Sequence, residues 1–337
     1  MKFGQRKVLS LALQGGGALG ALTWGVLDRL LEEPKLKIEA ISGTSAGAIN
    51  AVALASGYAN GGREGARKSL DDFWNAVGTA SYSIGSSTGM HGAMLPNPQK
   101  LLLGLTRYFS PYQLNPFDIN PLRDIVAKVV DFDAVQSRRA IRLFVGATRV
   151  RTGTLRLFQN RELTPEALLA STCLPTVHHA IEIDGEAYWD GGYSGNPAVY
   201  PLIFRCKTPS IVVVMLQPLA REDAPTTAQA IRSRLTEFQF NSSFLREMRS
   251  IALAKQMIHK QWLPIGALER RFKKLNLHLI ETDDLLASMN IDKALNADLG
   301  FLLKLKDEGR TRAGTWLEKH FHQVGDESSI DLAKLFG

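Results

Sequence analysis

The chain has 337 residues and a formal net charge of +7; 45% of its residues are hydrophobic and 22% are charged. This balance is ordinary for a globular protein with a substantial core. The two cysteines, Cys173 and Cys206, have neither metal-binding nor redox spacing, and no apolar run is long enough to span a bilayer. These features exclude a disulfide scaffold and an integral membrane protein, and they favour a cytoplasmic location. The basic start and the apolar residues after it are similar to a signal peptide. Gln14 and several glycines interrupt the apolar stretch, so we do not expect it to act as one.

Apolar runs alternate with helical stretches, which predicts an α/β fold with helices on both faces of a central, mostly parallel sheet. Leu155–Phe158 is expected to pair with the Arg142–Val150 segment. We expect one domain over residues 1–325, in which residues 275–325 supply a C-terminal strand and helices, and a loose tail over residues 326–337. The candidate parallel strands are Val8–Leu13, Ile38–Ser42, Ile141–Ala147, Ile211–Leu216 and Leu275–Ile280.

A glycine-rich turn follows the first strand and precedes a helix. Backbone N–H groups in such a turn can point at an anion. We interpret the turn as an oxyanion hole that uses the amides of Gly16, Gly17 and Ala18. Donors placed where negative charge develops contribute on the order of 3 kcal/mol each in the transition state.

The same turn allows a second interpretation. Gly15, Gly17 and Gly20 fit the G-x-G-x-x-G pattern of dinucleotide-binding proteins, and Glu39 lies near the expected distance for a ribose-binding acid. That acid should end the second strand. Glu39 instead lies near the start of Ile38–Ser42, which weighs against a nucleotide site.

The second strand leads into a G-x-S-x-G pattern, Gly43-Thr44-Ser45-Ala46-Gly47. In a nucleophile elbow the serine occupies a sharp strand-to-helix turn, and flanking glycines let the backbones approach closely. The helix that follows should point its N-terminus at the Ser45 hydroxyl and end near Gly57. The alternative is an ordinary Gly/Ser turn.

A third motif, Trp189-Asp190-Gly191-Gly192, lies far along the chain. The residues before it, Ile181–Tyr188, predict a small hairpin with an Asp-Gly turn. Asp190 would then lie at a strand end, where its carboxylate could contact a buried neighbour. The alternative is a solvated aspartate in an ordinary turn.

Together these motifs resemble the patatin-like phospholipase family, and the resemblance extends from about Val8 to about Pro218. Ala170–Pro175 resembles the Ser-rich turn that precedes the aspartate in this family. The resemblance implies a three-layer α/β/α fold and a Ser/Asp dyad, with Ser45 as nucleophile, Asp190 as its partner and the Gly15–Gly17 turn as oxyanion hole. It also implies a lipid acyl hydrolase that needs no metal or other cofactor and acts on phospholipids or lysophospholipids.

A dyad requires a carboxylate that is a stronger base than usual, because an unperturbed aspartate has a pKa of about 4. Burial and a hydrogen bond from serine would raise its basicity. We expect Asp190 to accept the Ser45 proton as Oγ attacks the ester, giving an acyl-enzyme that water then hydrolyses.

Two histidines, His178 and His179, precede Asp190 where this family would have hydrophobic or aromatic residues. A Ser-His-Asp triad could use one of them, but the order nucleophile, histidine, acid differs from that of the related hydrolases. We expect both to pack beside the site or line its wall.

Residues 81–121 are rich in Gly, Ser and Pro, yet they contain many large apolar side chains. One interpretation is a lid over Ser45 that admits acyl chains. The other is a loop packed on the core. The apolar residues are Met90, Met94, Leu95, Leu101, Leu102, Leu103, Leu105, Tyr108 and Phe109.

The charge is concentrated in residues 228–274, which carry ten basic and three acidic residues with Phe238, Phe240, Phe244 and Trp262 among them. A basic helix with aromatic residues could lie on an anionic membrane, such as the inner face of the cell membrane. It could equally pack an aromatic stripe on the core and leave its basic face in solvent. No nucleic-acid recognition motif accompanies the segment, so no nucleic acid is expected.

Two other classes of function remain open: a nucleotide-binding enzyme and a non-catalytic lipid-binding module. Cofactor titration would identify the first, and labelling of Ser45 by a fluorophosphonate would argue against the second. Lipid head group, acyl position and oligomeric state stay open at this stage.

Overall fold

The structure is a computed structural model that describes residues 6–87, 109–137, 140–221, 223–259, 266–281 and 297–337. Within these residues the strands are β1 (Lys7–Leu13), β2 (Leu36–Thr44), β3 (Arg142–Arg149), β4 (Leu155–Gln159), β5 (Ile181–Ile183), β6 (Glu186–Asp190), β7 (Ser210–Val214) and β8 (Asn276–Ile280). The helices are α1 (Gly20–Leu31), α2 (Ala46–Ser87), α3 (Pro111–Leu114), α4 (Pro121–Val129), α5 (Phe132–Gln136), α6 (Pro165–Ser171), α7 (Tyr200–Arg205), α8 (Ala228–His259), α9 (Ala267–Lys274), α10 (Leu299–His320) and α11 (Leu332–Phe336).

All eight described strands form one sheet in the order β5-β6-β3-β2-β1-β7-β8, with β4 also paired to β3. The neighbours β3, β2, β1, β7 and β8 run parallel, whereas β4 and β6 run antiparallel to β3. These are the five parallel strands that the sequence predicted, and β4 pairs with β3 as expected. The predicted α/β class is therefore confirmed.

The sheet is buried on both faces, which makes the fold three-layered. Successive residues of β7 point to opposite sides, as the two-residue period of a strand requires. Val212 and Val214 join a cluster with α1, α2 and α10, whereas Ile211 and Val213 join a second cluster with α7, α8, α9 and α11. No helix in the described part of the chain combines the length and apolar character that crossing a membrane requires.

The helix after Ser45 does not end near Gly57, which corrects the sequence prediction. It continues to a break at Gly61 and Gly62, whose backbone angles are not helical. A Cβ atom at Gly57 would collide with the Gly65 carbonyl. Gly57 therefore allows the two halves of α2 to pack closely and does not end the helix.

The last residues, 326–337, pack on the domain. Ser328 Oγ accepts a hydrogen bond from the Leu277 amide at 3.0 Å, beside edge strand β8. Helix α11 buries Phe336 edge-on against Phe244 of α8, with ring centroids 6.1 Å apart. The tail is thus held by apolar burial, a feature that was not anticipated from the sequence.

His278 in β8 is a buried histidine that the proposed chemistry does not use. Its ring lies edge-on to Trp316 of α10 at 5.7 Å, and neither ring nitrogen has a hydrogen-bond partner among the described residues. Burial, helped by the positive charges of His320 and Lys255, lowers the pKa of His278 to about 4. The folded protein therefore favours the neutral ring.

This shift predicts a loss of stability in acid that depends on His278. The unfolded chain binds the His278 proton more tightly than the folded protein does. The contribution of neutral His278 to stability is therefore fully present above the unfolded pKa of 6.5, and it is lost as the pH drops towards about 4. Between pH 7.5 and 5.0 the wild type should lose about 2 kcal/mol more unfolding free energy than His278→Leu. Urea unfolding at the two pH values measures this difference, and equal losses in both proteins would contradict it.

Candidate active site

The position of the site is set by one edge of β3. Gly146 pairs with Thr44 of β2 and with β4, and the next residue, Ala147, pairs with Asp190 of β6 and again with β4. Because β4 lies along one edge throughout, β2 and β6 must share the other edge and meet there end to end. Thr44 and Asp190 therefore lie opposite adjacent residues of β3, and Ser45 follows Thr44 directly.

Ser45 lies in a strained backbone conformation. Its φ of 55° is in the left-handed region, which non-glycine residues rarely adopt. Its N–H donates to Ser171 Oγ at 3.0 Å. A Cβ at Gly43 would lie 2.6 Å from the Gly47 carbonyl oxygen, and one at Gly47 would collide with the Leu13 carbonyl. Both flanking glycines are thus required for the tight turn, as expected for an elbow.

Asp190 is fully buried at the end of β6. Its Oδ1 accepts a hydrogen bond from the Gly192 amide at 2.7 Å, and its own N–H donates to the Cys173 carbonyl at 2.8 Å. Burial raises the pKa of Asp190 to about 7, even though the bond from the Gly192 amide and the nearby Ser45 hydroxyl lower it. The carboxyl is therefore a much stronger base than an ordinary aspartate.

The Ser45 hydroxyl and the Asp190 carboxylate are neighbours, but they are not joined by a hydrogen bond of normal geometry. Ser45 is close enough to lower the pKa of Asp190, yet Oδ2 has no hydrogen-bond partner among the described residues. The two groups are therefore adjacent but not yet bonded. Apo active sites often have such long contacts, which tighten when substrate binds.

The glycine-rich turn lies directly beside Ser45. A Cβ at Gly15 would lie 2.7 Å from the Ser45 Cβ, and Gly17 has a φ of 59° that favours glycine. The amides of Gly16, Gly17 and Ala18 donate no hydrogen bond to any other described residue. These three N–H groups are therefore available to an anion close to Ser45.

For Gly15 the prediction needs correction. Its N–H donates to Asn196 Oδ1 at 2.7 Å, so it is not available to a substrate oxygen. Gly15 contributes instead by its lack of a side chain. Asn196 was not assigned this role from the sequence, although the Asn-Pro pair after the third motif was visible there.

Gln14 fixes the start of the same turn. Its Oε1 accepts the amides of Leu216 and Gln217 at 2.7 and 2.9 Å, and its Nε2 donates to Asn241 Oδ1 of α8 at 2.7 Å. The side chain thus connects the end of β1 to the chain after β7 and to α8. The sequence feature that could have indicated this role is a polar glutamine at the end of an apolar strand.

The two histidines do not form a triad. His179 stacks on Tyr112 with ring centroids 4.0 Å apart, and its Nε2 lies 3.2 Å from the Pro111 carbonyl oxygen. His178 is largely buried, which lowers its pKa, and its Nδ1 has no partner among the described side chains and backbone. No hydrogen bond joins either ring to Ser45 or Asp190 within the described ranges.

Neither Cys173 nor Glu39 is suited to catalysis or to ligand binding at this site. Cys173 Sγ donates to the His179 carbonyl at 2.9 Å, and burial raises the pKa of this thiol to about 12, so it is a poor nucleophile. The Glu39 carboxylate accepts the amides of Lys207 and Thr208, both at 2.7 Å. Glu39 therefore anchors the chain before β7 and does not face the glycine-rich turn. In the part of the chain that is described, no three His, Cys, Asp or Glu side chains could hold a metal ion.

Part of the expected lid, residues 88–108, lies outside the described residues. The described part contains α3, where the Tyr112 hydroxyl accepts the Ala180 amide at 3.2 Å. Phe117 and Ile119 are strongly exposed. This end of the segment is thus attached beside the chain that leads to Asp190, and the lid stays a prediction.

Helix α8 lies over the aspartate turn. Phe240 packs on Tyr193 with ring centroids 4.8 Å apart, and a Cβ at Gly192 would collide with the Phe240 ring. Phe244, one turn further along, is fully buried. Phe240 and Phe244 thus pack inward, as the simpler interpretation of the basic segment predicted, whereas Phe238 is 51% exposed and Trp262 lies outside the described residues.

Comparisons with known proteins identify one family and one structural alignment. A family model described as patatin-like phospholipase matches residues 11–203. The crystal structure of VipD from Legionella pneumophila aligns with 92% of this chain and 69% of that chain, at 15% sequence identity and a TM-score of 0.38. No curated protein is significantly similar in sequence.

Proposed function

Because the chain belongs to the patatin-like phospholipase family, whose model covers residues 11–203, we propose that it cleaves carboxylic esters of phospholipids or lysophospholipids with a Ser45–Asp190 dyad. The family is one of lipid acyl hydrolases, so hydrolysis of lipid esters is the expected activity. The observation that most supports the dyad is the shared edge of β3, where the ends of β2 and β6 meet.

The proposed reaction has two halves. In the first, Asp190 accepts the proton of Ser45 Oγ while Oγ bonds to the ester carbonyl carbon, and the amides of Gly16 and Gly17 bind the resulting oxyanion. The carbon–oxygen bond to the leaving alcohol then breaks, and Asp190 returns the proton to that alcohol. In the second half, water loses a proton to Asp190 and attacks the acyl carbon. The bond between that carbon and Ser45 Oγ then breaks, Asp190 returns the proton to Oγ, and the fatty acid is released.

We further propose that the first half of α8 contacts an anionic membrane. Ile231, Leu235 and Phe238 recur at helical spacing, and all three are exposed, by 43%, 53% and 51%. They precede Phe240, which packs beside the Asp190 turn, so this apolar face lies at the same end of the sheet as Ser45. Arg232 on the same helix half is also exposed and could meet anionic head groups.

The basic residues at the end of α9 are a less suitable membrane contact. Lys273 and Lys274 directly precede β8, at the end of the sheet opposite to Ser45. A membrane bound there would face away from the dyad. The basic segment of the sequence therefore divides between two ends of the molecule, and only the first part suits delivery of a lipid to Ser45.

Replacement of the nucleophile tests the proposed function directly. Ser45→Ala should abolish hydrolysis of defined phospholipids and lysophospholipids while the far-UV circular dichroism stays unchanged, because the side chain is not part of the core. Ser69→Ala is a matched control, since Ser69 is a buried serine of α2 whose Oγ has no partner among the described residues. It should retain full activity. Undiminished turnover by Ser45→Ala would contradict the proposal.

The raised pKa of Asp190 predicts the pH dependence of kcat/KM. Only the ionised carboxylate can accept the serine proton, so kcat/KM should rise with pH and level off above an apparent pKa near 7. At pH 5 the value should be about 100-fold below the plateau. Hydrolysis of a soluble ester across pH 5 to 9 measures this profile. An apparent pKa near 4, typical of an exposed aspartate, would contradict it.

The membrane contact predicts a difference between substrates. Changing Ile231, Leu235 and Phe238 to serine should weaken flotation with anionic vesicles and slow hydrolysis of vesicle lipids at least 10-fold, while a soluble short-chain ester is hydrolysed normally. The control changes Leu253 and Met257 to serine; these are exposed by 45% and 70% at the other end of α8. Equal effects of both sets, or no vesicle binding at low salt, would rule the contact out.

A further inference from the structure

Asn196 lies at the centre of the site, although no step of the proposed reaction involves it. It follows the short turn Gly191–Tyr193 and is fully buried. Its Oδ1 accepts the Gly15 amide at 2.7 Å. A Cβ at Gly15 would lie 3.2 Å from this Oδ1 and 2.7 Å from the Ser45 Cβ, so Asn196 and Ser45 flank the same glycine.

The loop that carries Asn196 is fixed to the strand that carries Ser45. Thr44 Oγ1 donates to the Gly195 carbonyl at 2.7 Å, and Ser42 Oγ donates to the Ala198 carbonyl at 2.6 Å. The Asn196 carbonyl itself accepts a hydrogen bond from Gln14 Nε2 at 3.4 Å. The loop around Asn196 is therefore held by two residues of β2 and by Gln14, which precedes the glycine-rich turn.

The bond to Gly15 restrains the start of the turn. It fixes the peptide plane between Gln14 and Gly15, from which the turn starts. The next three amides have no partners among the described residues. If the Gly15 amide were released, the turn could rotate and these donors would lose their alignment with Ser45.

The side-chain amide group of Asn196 lowers the stability of the folded state, so its presence requires an explanation. Its Nδ2 is buried without a hydrogen-bond partner in the described structure, and such a donor destabilises the folded state. An apolar side chain would avoid this cost. The asparagine is therefore best explained by what its carbonyl oxygen does for Gly15.

We propose that Asn196 is a positioning residue that holds Gly15 so that the amides of Gly16 and Gly17 face the oxyanion formed at Ser45. This inference rests on the proposed function. In this role Asn196 connects the acid to the oxyanion hole, because it lies six residues after Asp190 and its side chain binds the glycine-rich turn. Asn196 itself does not contact substrate.

The test compares Asn196→Ala and Asn196→Leu with the wild type on a soluble short-chain ester. We expect kcat to fall about 100-fold in both variants, which is the size of effect seen when an oxyanion donor is removed, with KM changed less than 3-fold. The apparent pKa of kcat/KM should stay near 7, because Asp190 keeps its burial and its bond to Gly192. Among residues 14–19, the hydrogen-bonded amides of Gly15 and Leu19 should exchange at least 10-fold faster in both variants.

Asn160→Ala is a matched control, because Asn160 also binds backbone groups but follows β4 and contacts the start of β3. It bonds to the Val135 and Ile141 carbonyls and to the Leu143 amide. Its kcat should equal that of the wild type. A merely structural role of Asn196 would leave kcat per folded molecule unchanged, and failure of both variants to fold would equally overturn the proposal.

The exchange measurement separates this proposal from the proposed function. A wild-type protein that neither hydrolyses esters nor reacts with a fluorophosphonate at Ser45 would refute the function. Unchanged exchange in residues 14–19 of both Asn196 variants would refute the positioning role, whatever the activity of the wild type.

Discussion

One edge of β3 positions the entire site. Strand β2 follows this edge as far as Gly146 and then turns into α2 at Ser45, which leaves the next residues of the edge unpaired. Strand β6 arrives from the opposite direction and pairs with Ala147 to Arg149. Backbone hydrogen bonding, which a buried strand must satisfy, therefore forces the two strand ends together. The serine and the aspartate are neighbours because each lies where its strand ends.

Burial of Asp190 serves the chemistry at the expense of stability. A raised pKa means that the folded state holds the proton more tightly than the unfolded chain, so stability falls as the pH rises from about 4 to about 7. The Glu247 carboxylate, which is partly buried and accepts the amides of Val199 and Tyr200, has a pKa raised to about 7 and acts in the same direction. His278 has the opposite effect and lowers stability in acid. Between about pH 4 and 7 the fold thus carries titrating groups with opposite effects on stability, and one of them is the proposed base.

Much of the framework could be predicted because it depends on local patterns. Apolar runs identified the five parallel strands, and glycine spacing identified both turns. The partners of those turns were not visible, since Ser171 and Asn196 reach Ser45 and Gly15 across more than a hundred residues. Gly57 shows a related limit: a glycine that ends a helix and one that lets two helices pack closely look the same in a sequence. The shared edge of β3 likewise depends on pairing between distant strands, which no local pattern encodes.

The central claim is that Ser45, Asp190 and the glycine-rich turn act on one group. A crystal structure of the protein inhibited by a fluorophosphonate would test it most directly. We expect phosphorus bonded to Ser45 Oγ, a phosphonyl oxygen within about 3 Å of the Gly16 and Gly17 amides, and Asp190 Oδ2 within hydrogen-bond distance of Ser45 Oγ. Phosphorus on another residue, or an Asp190 carboxylate that faces away from the phosphonate, would contradict the claim.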